Sequence, residues 1–374
     1  MSLAMGSVIV QHADLLALAC TLIEAVGTPK LLAFDVADGL VEANLCGHDS
    51  HGVLRLPAYI NASLKRADSR IFSAIIPDQH AVLLPDKRPG LAIRRVDGGW
   101  GWGQPAARLA TRTAIALAAQ TGVASVTVER CNHVGRLGEY VAMVAEAGML
   151  AVATCNAGPA VAPFNGRERM FGTNPFAFGA PRTVGPRNGG PRPIMVDFAT
   201  SGVAEGKLQV AQSKGQMVAA GIVIDKDGAP SLDPAAFYAG GALLPMGLHK
   251  GYGVSVLAEL LGGGLSGLAP AITASFGQGN RGGNGFIITA YNIADFVPVE
   301  TYVAQVNEFY QRVRASTPAQ GATEVLVPGD PEWMSREQRL RDGIPLPDAI
   351  WHAIRDVAHE RRITIPAVQA VAES

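Results

Sequence analysis

At 374 residues, 48% hydrophobic and 17% charged with 43 glycines, the chain carries enough apolar material for a full core and exceeds the usual size of one domain. That composition excludes a disordered chain and points to one large α/β unit with excursions, or to two lobes, with apolar surface to spare for an oligomer. Lys plus Arg (31) nearly cancels Asp plus Glu (32), so no sustained field draws the chain to nucleic acid or to an anionic membrane.

In chain order, the apolar spacing of Val8–Val26 predicts a helix, and Thr28-Pro29 supplies a cap and a first-turn proline for a second helix through Leu45. The start of the chain shows a short apolar run without a basic leader or cleavage pattern, as expected of a protein that is not exported. Residues 60–99 mix proline, charge and short β-like runs such as Ala81–Leu84, and read as a loop-rich insertion. From Gln104 the pattern alternates: helix to Gln120, strand Val123–Glu129, helix Leu137–Gly148, strand Met149–Asn156. This alternation predicts an α/β layer.

Residues 182–193 form a Pro/Gly-rich excursion before a strand at Ile194–Asp197. A helix from Lys250 to Leu261, a strand at Gly285–Ile293, and helices at Val299–Ala315 and Pro347–Glu360 complete the chain. The last helices are expected to fold back on the N-terminal pair. The longest uncharged run, Leu260–Asn280, holds six glycines and Pro270 and is therefore no membrane span. Cys20, Cys46, Cys131 and Cys155 fall in no C-x-x-C spacing, which suits reduced thiols of a cytoplasmic protein.

Five polar clusters interrupt this framework. The densest is Gly47–Tyr59, which packs a hydroxyl, two imidazoles, a carboxylate, a guanidinium and a phenol into thirteen positions between helical patterns. His51 can exchange a proton near neutral pH, Ser50 can hand it on, and Arg55 can clamp a carboxylate with a two-pronged fork. A second cluster, Cys131–Tyr140, contains His133 and lies between a strand and a helix, where α/β proteins keep their chemistry. The third, Phe171–Pro175, uses glycine and a pre-proline asparagine to fix a turn that exposes amides. The fourth, Asp197–Gly202, ends an apolar strand with a carboxylate able to orient an imidazole or grip ribose hydroxyls. In the fifth, His249–Gly253, Lys250 at a helix start suits a phosphate or carboxylate.

Each cluster has a plainer reading. His51 could cap a helix, His133 could hold a turn, Asp197 could cap the next helix, and Arg55 could pair with Asp49. Lys250 could be a solvated cation, and Thr173 with Asn174 could merely build a turn. His48 reads as structural. A literal G-x-G-x-x-G occurs at Gly277, Gly279 and Gly282, but a strand pattern follows it where a helix is required, so no Rossmann fingerprint is credible.

Taken in order, S-H-G-V-L-R-L-P-A-Y (50–59), N-H-V-G-R-L-G-E-Y (132–140), F-G-T-N-P (171–175), D-F-A-T-S (197–201) with Glu205-Gly206-Lys207, Leu244-Pro245 with H-K-G-Y-G, and Pro328-Gly329-Asp330 resemble the malate/L-lactate dehydrogenase family over about residues 10–350. The resemblance implies a cytoplasmic, homodimeric oxidoreductase using NAD or NADP on a non-Rossmann fold. That fold is α/β, with the nucleotide-binding domain built on a mixed or antiparallel sheet and a second helical domain made of N- and C-terminal segments. It implies His51 as catalytic proton donor with Ser50 and Asp197 as its relay. His133 would be a substrate contact or proton acceptor, and Arg55 and Tyr59 would lie on the substrate side. The cofactor-binding positions would be Gly172, Thr173, Asn174, Asp197, Phe198, Ala199, Thr200, Ser201, Lys250, Gly251, Gly329 and Asp330. The family usually closes the last motif with Glu, where this chain has the shorter Asp330.

The resulting expectation is hydride transfer between a nicotinamide and C2 of a small 2-oxo or 2-hydroxy acid. The alternatives are reduction of a cyclic imine such as Δ1-piperideine-2-carboxylate or Δ1-pyrroline-2-carboxylate and, from another class, a metal-dependent hydrolase using His48, Asp49 and His51. No metal, nucleic acid or membrane partner is expected for the preferred reading. The expected organisation is residues 1–95 as N-terminal helices plus insertion, 96–300 as the central nucleotide- and substrate-binding domain, and 301–374 as C-terminal helices packing back.

Overall fold

The computed structural model describes residues 6–64, 74–186, 189–213, 215–268, 271 and 283–370. The G-x-G-x-x-G stretch and residues 65–73 of the expected insertion lie outside them.

The chain begins with a strand, β1 (Ser7–Val10), followed by helices α1 (His12–Glu24) and α2 (Lys30–Leu45). The helix expected from Val8 therefore starts four residues late. Val8-Ile9-Val10 is a β-branched run, stiff at χ1 and suited to a pleated surface, and an apolar run this short carries no period that separates strand from helix. Two short turns of helix, Asp49–His51 and Val53–Arg55, lead into α3 (Leu56–Ser63). Strands β2 (Val82–Leu83) and β3 (Ile93–Asp97) precede α4 (Gly103–Thr121), β4 (Val123–Glu129), α5 (Leu137–Glu146), β5 (Leu150–Cys155), β6 (Phe176–Ala180) and β7 (Ile194–Phe198).

A smaller unit follows, made of α6 (Glu205–Ser213), β8 (Val223–Ile224), β9 (Pro230–Ser231), α7 (Ala235–Tyr238) and β10 (Ala242–Leu243). Helix α8 (His249–Ala258) runs into a wider turn over Glu259–Gly264. Strand β11 (Phe286–Tyr291), α9 (Val299–Arg314), α10 (Asp330–Asp342), β12 (Ile344–Pro347), α11 (Asp348–Glu360) and β13 (Gln369–Ala370) close the chain.

The large sheet has the order β2-β3-β4-β11-β5-β6-β7. Only β3 and β4 pair in parallel, and every other neighbouring pair is antiparallel. This is the mixed sheet of the expectation, and it lacks the run of parallel crossovers on which a Rossmann site depends. Helix α4 makes the one parallel crossover. It lays Ala106, Ala107, Ala110, Ala114 and Ala118 on Val126, Val128 and Ile288, all essentially inaccessible. Alanine suits this face because a small side chain lets the helix approach the sheet closely.

A second core joins the two ends of the chain. Leu15, Leu22, Leu40 and Leu45 of α1 and α2 pack with Trp351 and Ile354 of α11, and β1 pairs antiparallel with β12. Each fully buried leucine or isoleucine there contributes about 1.5–3 kcal/mol of transfer free energy. Arg108 fastens the two cores together, binding Asp35 and Asp38 of α2 and Glu139 of α5.

Candidate active site

The histidine segment leaves α2 at Cys46 and is held in shape by one buried side chain. Asn44, 1% exposed, donates Nδ2–H to Asp49 Oδ1 (2.6 Å) and accepts the Val53 amide on Oδ1 (2.8 Å). Both ends of the turn carrying His51 are thus tied to one amide group. Gly52 is required by this clamp: a Cβ there would lie 2.2 Å from Asn44 Oδ1. From outside, α10 presents one stripe of its surface to the segment. Glu332 meets His48 Nε2 at 3.1 Å, Ser335 donates to Leu45 O, Arg336 binds Glu42, and Arg339 binds both oxygens of Asp49. These positions recur at i, i+3, i+4 and i+7, the spacing of one helical face.

Within this frame Ser50 Oγ lies 3.0 Å from His51 Nδ1. The His51 ring stacks on His133, with centroids 5.6 Å apart and planes 14° from parallel. His133 comes from the loop between β4 and α5, so residues 82 positions apart in the chain meet face to face. Tyr59 of α3 places its hydroxyl 2.6 Å from His133 Nδ1, and Gln104 Nε2–H donates to the same hydroxyl at 3.0 Å. Arg55 is 6% exposed; it donates Nε–H to Ser50 O and lies 3.6 Å from Glu205 at the start of α6.

Both imidazoles are held neutral. Burial first, then His133, Arg55, His48 and Arg136, keep His51 well below the ordinary imidazole range. Burial and the Arg55 charge push His133 down to about 3. Burial raises Tyr59, which therefore keeps its proton. Such a pair resists protonation and needs a compensating anion before it holds a proton.

The sequence-expected relay is brought together only in part. Ser50 reaches His51, but Asp197 spends Oδ2 on the Gly138 amide at 2.7 Å, at the N-terminus of α5. The unpaired amides of a helix start attract a carboxylate, and Gly138 leaves room for it, since a Cβ there would sit 3.2 Å from that oxygen. Ser50 is the one hydrogen-bond partner of the His51 imidazole among the described residues. Arg136, 4% exposed, lies in the field of both Asp197 and His51. Tyr59, expected on the substrate side, directs its hydroxyl to His133.

The cofactor-side segments converge. The Thr200 amide donates to Thr173 O, the Met246 amide donates to Thr200 O, and Ser201 bridges Pro245. Asn174 adopts a positive φ of 39° and donates Nδ2–H to Ser255 and Glu259, while the Gly172 amide also points to Glu259. Phe198 packs its ring on Phe176, and Ala199 links it to Thr200. Gly251 is buried where a Cβ would lie 2.0 Å from Met246 O, and Lys250 beside it is exposed. Gly329 caps α10 with φ 101°. The Asp330 carboxylate takes Tyr310, Arg314 and the Val327 amide, and so fastens α10 to α9.

The metal reading meets no ligand set. His48 is engaged by Glu332 and Asp49 by Arg339, and no group of three His, Cys, Asp or Glu side chains suited to a metal occurs among the described residues. Cys46, Cys131 and Cys155 are buried, and burial pushes Cys46 and Cys131 up to about 12. No helix among the described residues is long and apolar enough to cross a membrane. Sequence reasoning missed Asn44, Gln104, Arg136 and Arg339. Asn44 carries a signal, a short amide inside an otherwise apolar helical run; Gln104 carries none.

A mixed-sheet α/β protein with paired neutral histidines beside a buried arginine has the features of a dehydrogenase outside the Rossmann class. The malate/L-lactate dehydrogenase family model matches residues 10–355, and the chain belongs to that family; it is an oxidoreductase. It is 35% identical over 335 residues to hydroxycarboxylate dehydrogenase B of Escherichia coli (strain K12), covering 88% of each chain. The structure of malate dehydrogenase from Pyrococcus horikoshii OT3 superposes with a TM-score of 0.84 at 27% identity, covering 98% of this chain and 99% of that one. Δ1-piperideine-2-carboxylate reductase from Pseudomonas syringae pvar. tomato superposes at 0.76 with 29% identity, over 94% and 99% of the two chains. Membership implies a nicotinamide cofactor.

Proposed function

We propose that this protein interconverts a small 2-hydroxy acid and its 2-oxo acid using NAD or NADP. The observation that carries this reading is the stacked His51–His133 pair next to Arg55, at the junction of the histidine segment with α6. The nicotinamide, when bound, takes or gives the hydride at C2. Thr173, Thr200, Ser201 and Lys250 would hold the dinucleotide: three hydrogen-bonded segments and an exposed cation in the first turn of α8 are chemistry suited to its ribose and phosphates. Gly172, Asn174, Phe198, Ala199 and Gly251 shape those segments, Gly329 marks a fourth, and Asp197 fixes the end of β7.

Arg55 anchors the substrate carboxylate and so sets which face of C2 is presented. His51 exchanges the proton of the C2 oxygen with Ser50 behind it, and His133 polarises the same oxygen. The substrate carboxylate also cancels the Arg55 charge that disfavours both imidazolium ions, so binding itself readies His51 to carry a proton. The reading extends to a cytoplasmic homodimer, supported by large apolar side chains left open on α2, where Leu31 is 81% and Phe34 48% exposed. The three-part division at residues 95 and 300 belongs to the same proposal.

A second reading, reduction of a cyclic imine acid, is supported by the likeness to the Pseudomonas reductase. Cofactor absorbance with pyruvate, oxaloacetate, sulfopyruvate, ureidoglycolate and Δ1-piperideine-2-carboxylate, each with both nucleotides, tests the two. Turnover of one 2-oxo acid or its hydroxy partner is expected. Turnover of the imine alone would transfer the assignment to the second reading, and inactivity on all five would overturn both.

A further inference from the structure

Glu259, 4% exposed, is a buried acidic side chain that the chemistry above does not use. It follows the last residue of α8 and opens the wider turn over Glu259–Gly264. Both of its oxygens accept hydrogen bonds from neutral N–H groups. Oε1 takes Asn174 Nδ2–H at 2.9 Å and the Gly172 amide at 3.4 Å. Oε2 takes the Ala271 amide at 2.9 Å and Asn156 Nδ2–H at 3.1 Å. No Lys, Arg or His forms an ion pair with it among the described residues. Four donors thus replace the water lost on burial, and they are matched only by a group that accepts on both terminal atoms and donates on neither.

These donors belong to segments remote from one another in sequence. Asn174 also takes the Ala157 amide on Oδ1 at 3.1 Å and reaches Ser255 Oγ at 3.1 Å. Thr173, between Gly172 and Asn174, gives its carbonyl to the Thr200 amide at 2.9 Å and to the Thr200 hydroxyl at 3.1 Å. Thr200 O receives the Met246 amide at 2.8 Å, and Met246 O receives the amide of Gly251, in the first turn of α8, at 3.1 Å. The path that leaves Glu259 at the end of α8 therefore returns to the start of the same helix, beside Lys250. On the other side, Asn156 Oδ1 takes the Gly285 amide at 2.8 Å, which brings in the ends of β5 and β11. The wider turn rests directly on this junction: a Cβ on Gly262 would lie 2.7 Å from Asn156 N and from Gly285 O. Widened turns inside helices of this kind are frequent at functional sites.

We propose that Glu259 is a positioning residue of the cofactor cleft, the single acceptor-only group that sets the 172–174 turn against α8 and so holds Thr173, Thr200 and Lys250 in one arrangement. It touches no cofactor itself. The inference rests on the functional reading above, which assigns the dinucleotide to these segments. Glutamine at this position keeps the shape and changes the polarity. One of its two terminal atoms becomes an NH2 that faces either Asn174 and Gly172 or Ala271 and Asn156, and in both orientations donor meets donor. The turn then moves off the helix, while the histidine segment, held by Asn44 and Arg339, keeps its place.

Fluorescence titrations of Glu259→Gln with NADH and NADPH, together with steady-state rates on whichever acid of the panel the parent turns over, test this. The cofactor Kd and KM are expected to rise about tenfold, the scale of one buried donor left without its acceptor. At saturating cofactor, kcat is expected to stay within about twofold of the parent, as for a loss of uniform binding. A glutamate that only stabilises the fold would lower the melting temperature and leave the Kd of the folded protein where it was. An unchanged Kd therefore overturns the proposal, and so does a fall in kcat without a change in Kd.

Glu259→Asp keeps the acceptor-only chemistry one methylene short, and its Kd is expected to lie between those of the parent and Glu259→Gln. Weaker binding in Asp than in Gln would show that reach and not polarity matters, and would overturn the acceptor-only requirement. If Glu259→Gln does not fold, the Asp variant is read alone: a raised Kd is expected, and the parent value overturns the proposal. The parent titration keeps the two failures apart. A parent that binds neither nucleotide ends the functional reading and this inference with it, whereas a parent and a Gln variant that bind equally tightly end this inference only.

Discussion

The histidine region and the cofactor-side region are built by different means. Around His51 and His133, position comes from buried side chains: Asn44, Gln104 and Tyr59 each spend polar atoms on one another or on the histidine segments, and Arg339 closes the turn from α10. Around residues 172–174, 200–201 and 245–251, main-chain hydrogen bonds join one segment to the next, Asn174 and Glu259 tie the first of them to α8, and the cation Lys250 stands in the open. The first design fixes the orientation of rings, as proton transfer demands. The second suits a ligand held by many small contacts.

Substitutions should separate the two regions. The largest effect is expected from His51→Ala, which should lower turnover by at least about a hundredfold, the scale for a positioned acid–base group, while cofactor affinity by fluorescence titration stays near that of the parent. Next, Gly52→Ala forces a Cβ into Asn44 and should cost roughly 1–3 kcal/mol by denaturant unfolding, as overpacking does. Combining it with Asn44→Ala should recover part of that loss, because the clash disappears with the amide; strict additivity of the two costs would disprove the clamp.

On the other side, Lys250→Ala should raise the cofactor KM several-fold with kcat unchanged, the mark of lost uniform binding. Its stability should stay within about 0.5 kcal/mol, as for other exposed positions. An equal fall in kcat would place Lys250 in the chemistry and dissolve the comparison.

The smallest effect is on stability against pH. Both histidines have lower proton affinity folded than unfolded, so the unfolded chain binds more protons below about 6.5. Stability is therefore complete above that value and declines as pH falls toward the folded value, about 3 for His133. Melting temperatures across pH 7 to 5 should fall, and less steeply in His133→Asn; an identical slope would show that the ring is not kept neutral.

Much of this was legible beforehand because the signals were local. Alternation marked β4, α5 and β5, and the failed glycine fingerprint agreed with a sheet that has a single parallel pair. What escaped was decided by partners distant in sequence. Ser7–Val10 became a strand because Ile344–Pro347 lies beside it. Helix α10 went unread because its face is charged: Glu332, Arg336 and Arg339 are satisfied by residues 42–49, so it lacks the apolar stripe that announces a helix. Asp197 was seen as a carboxylate at a strand end, but nothing local says that the amide of Gly138 will claim it. Ser50 beside His51 is adjacent in the chain and was therefore visible; Gln104 beside Tyr59 is not.

Helix α10 also acts as a ruler. Its first residue is pinned to α9 through Asp330, and nine residues later Arg339 grips the turn that carries His51. Adding or removing a single residue between them would swing everything beyond by about 100°, turning Arg339 away from Asp49. The number of residues between Pro328-Gly329-Asp330 and Arg339 is thus a quantity the molecule has to keep, although none of the residues in between touches the two histidine rings.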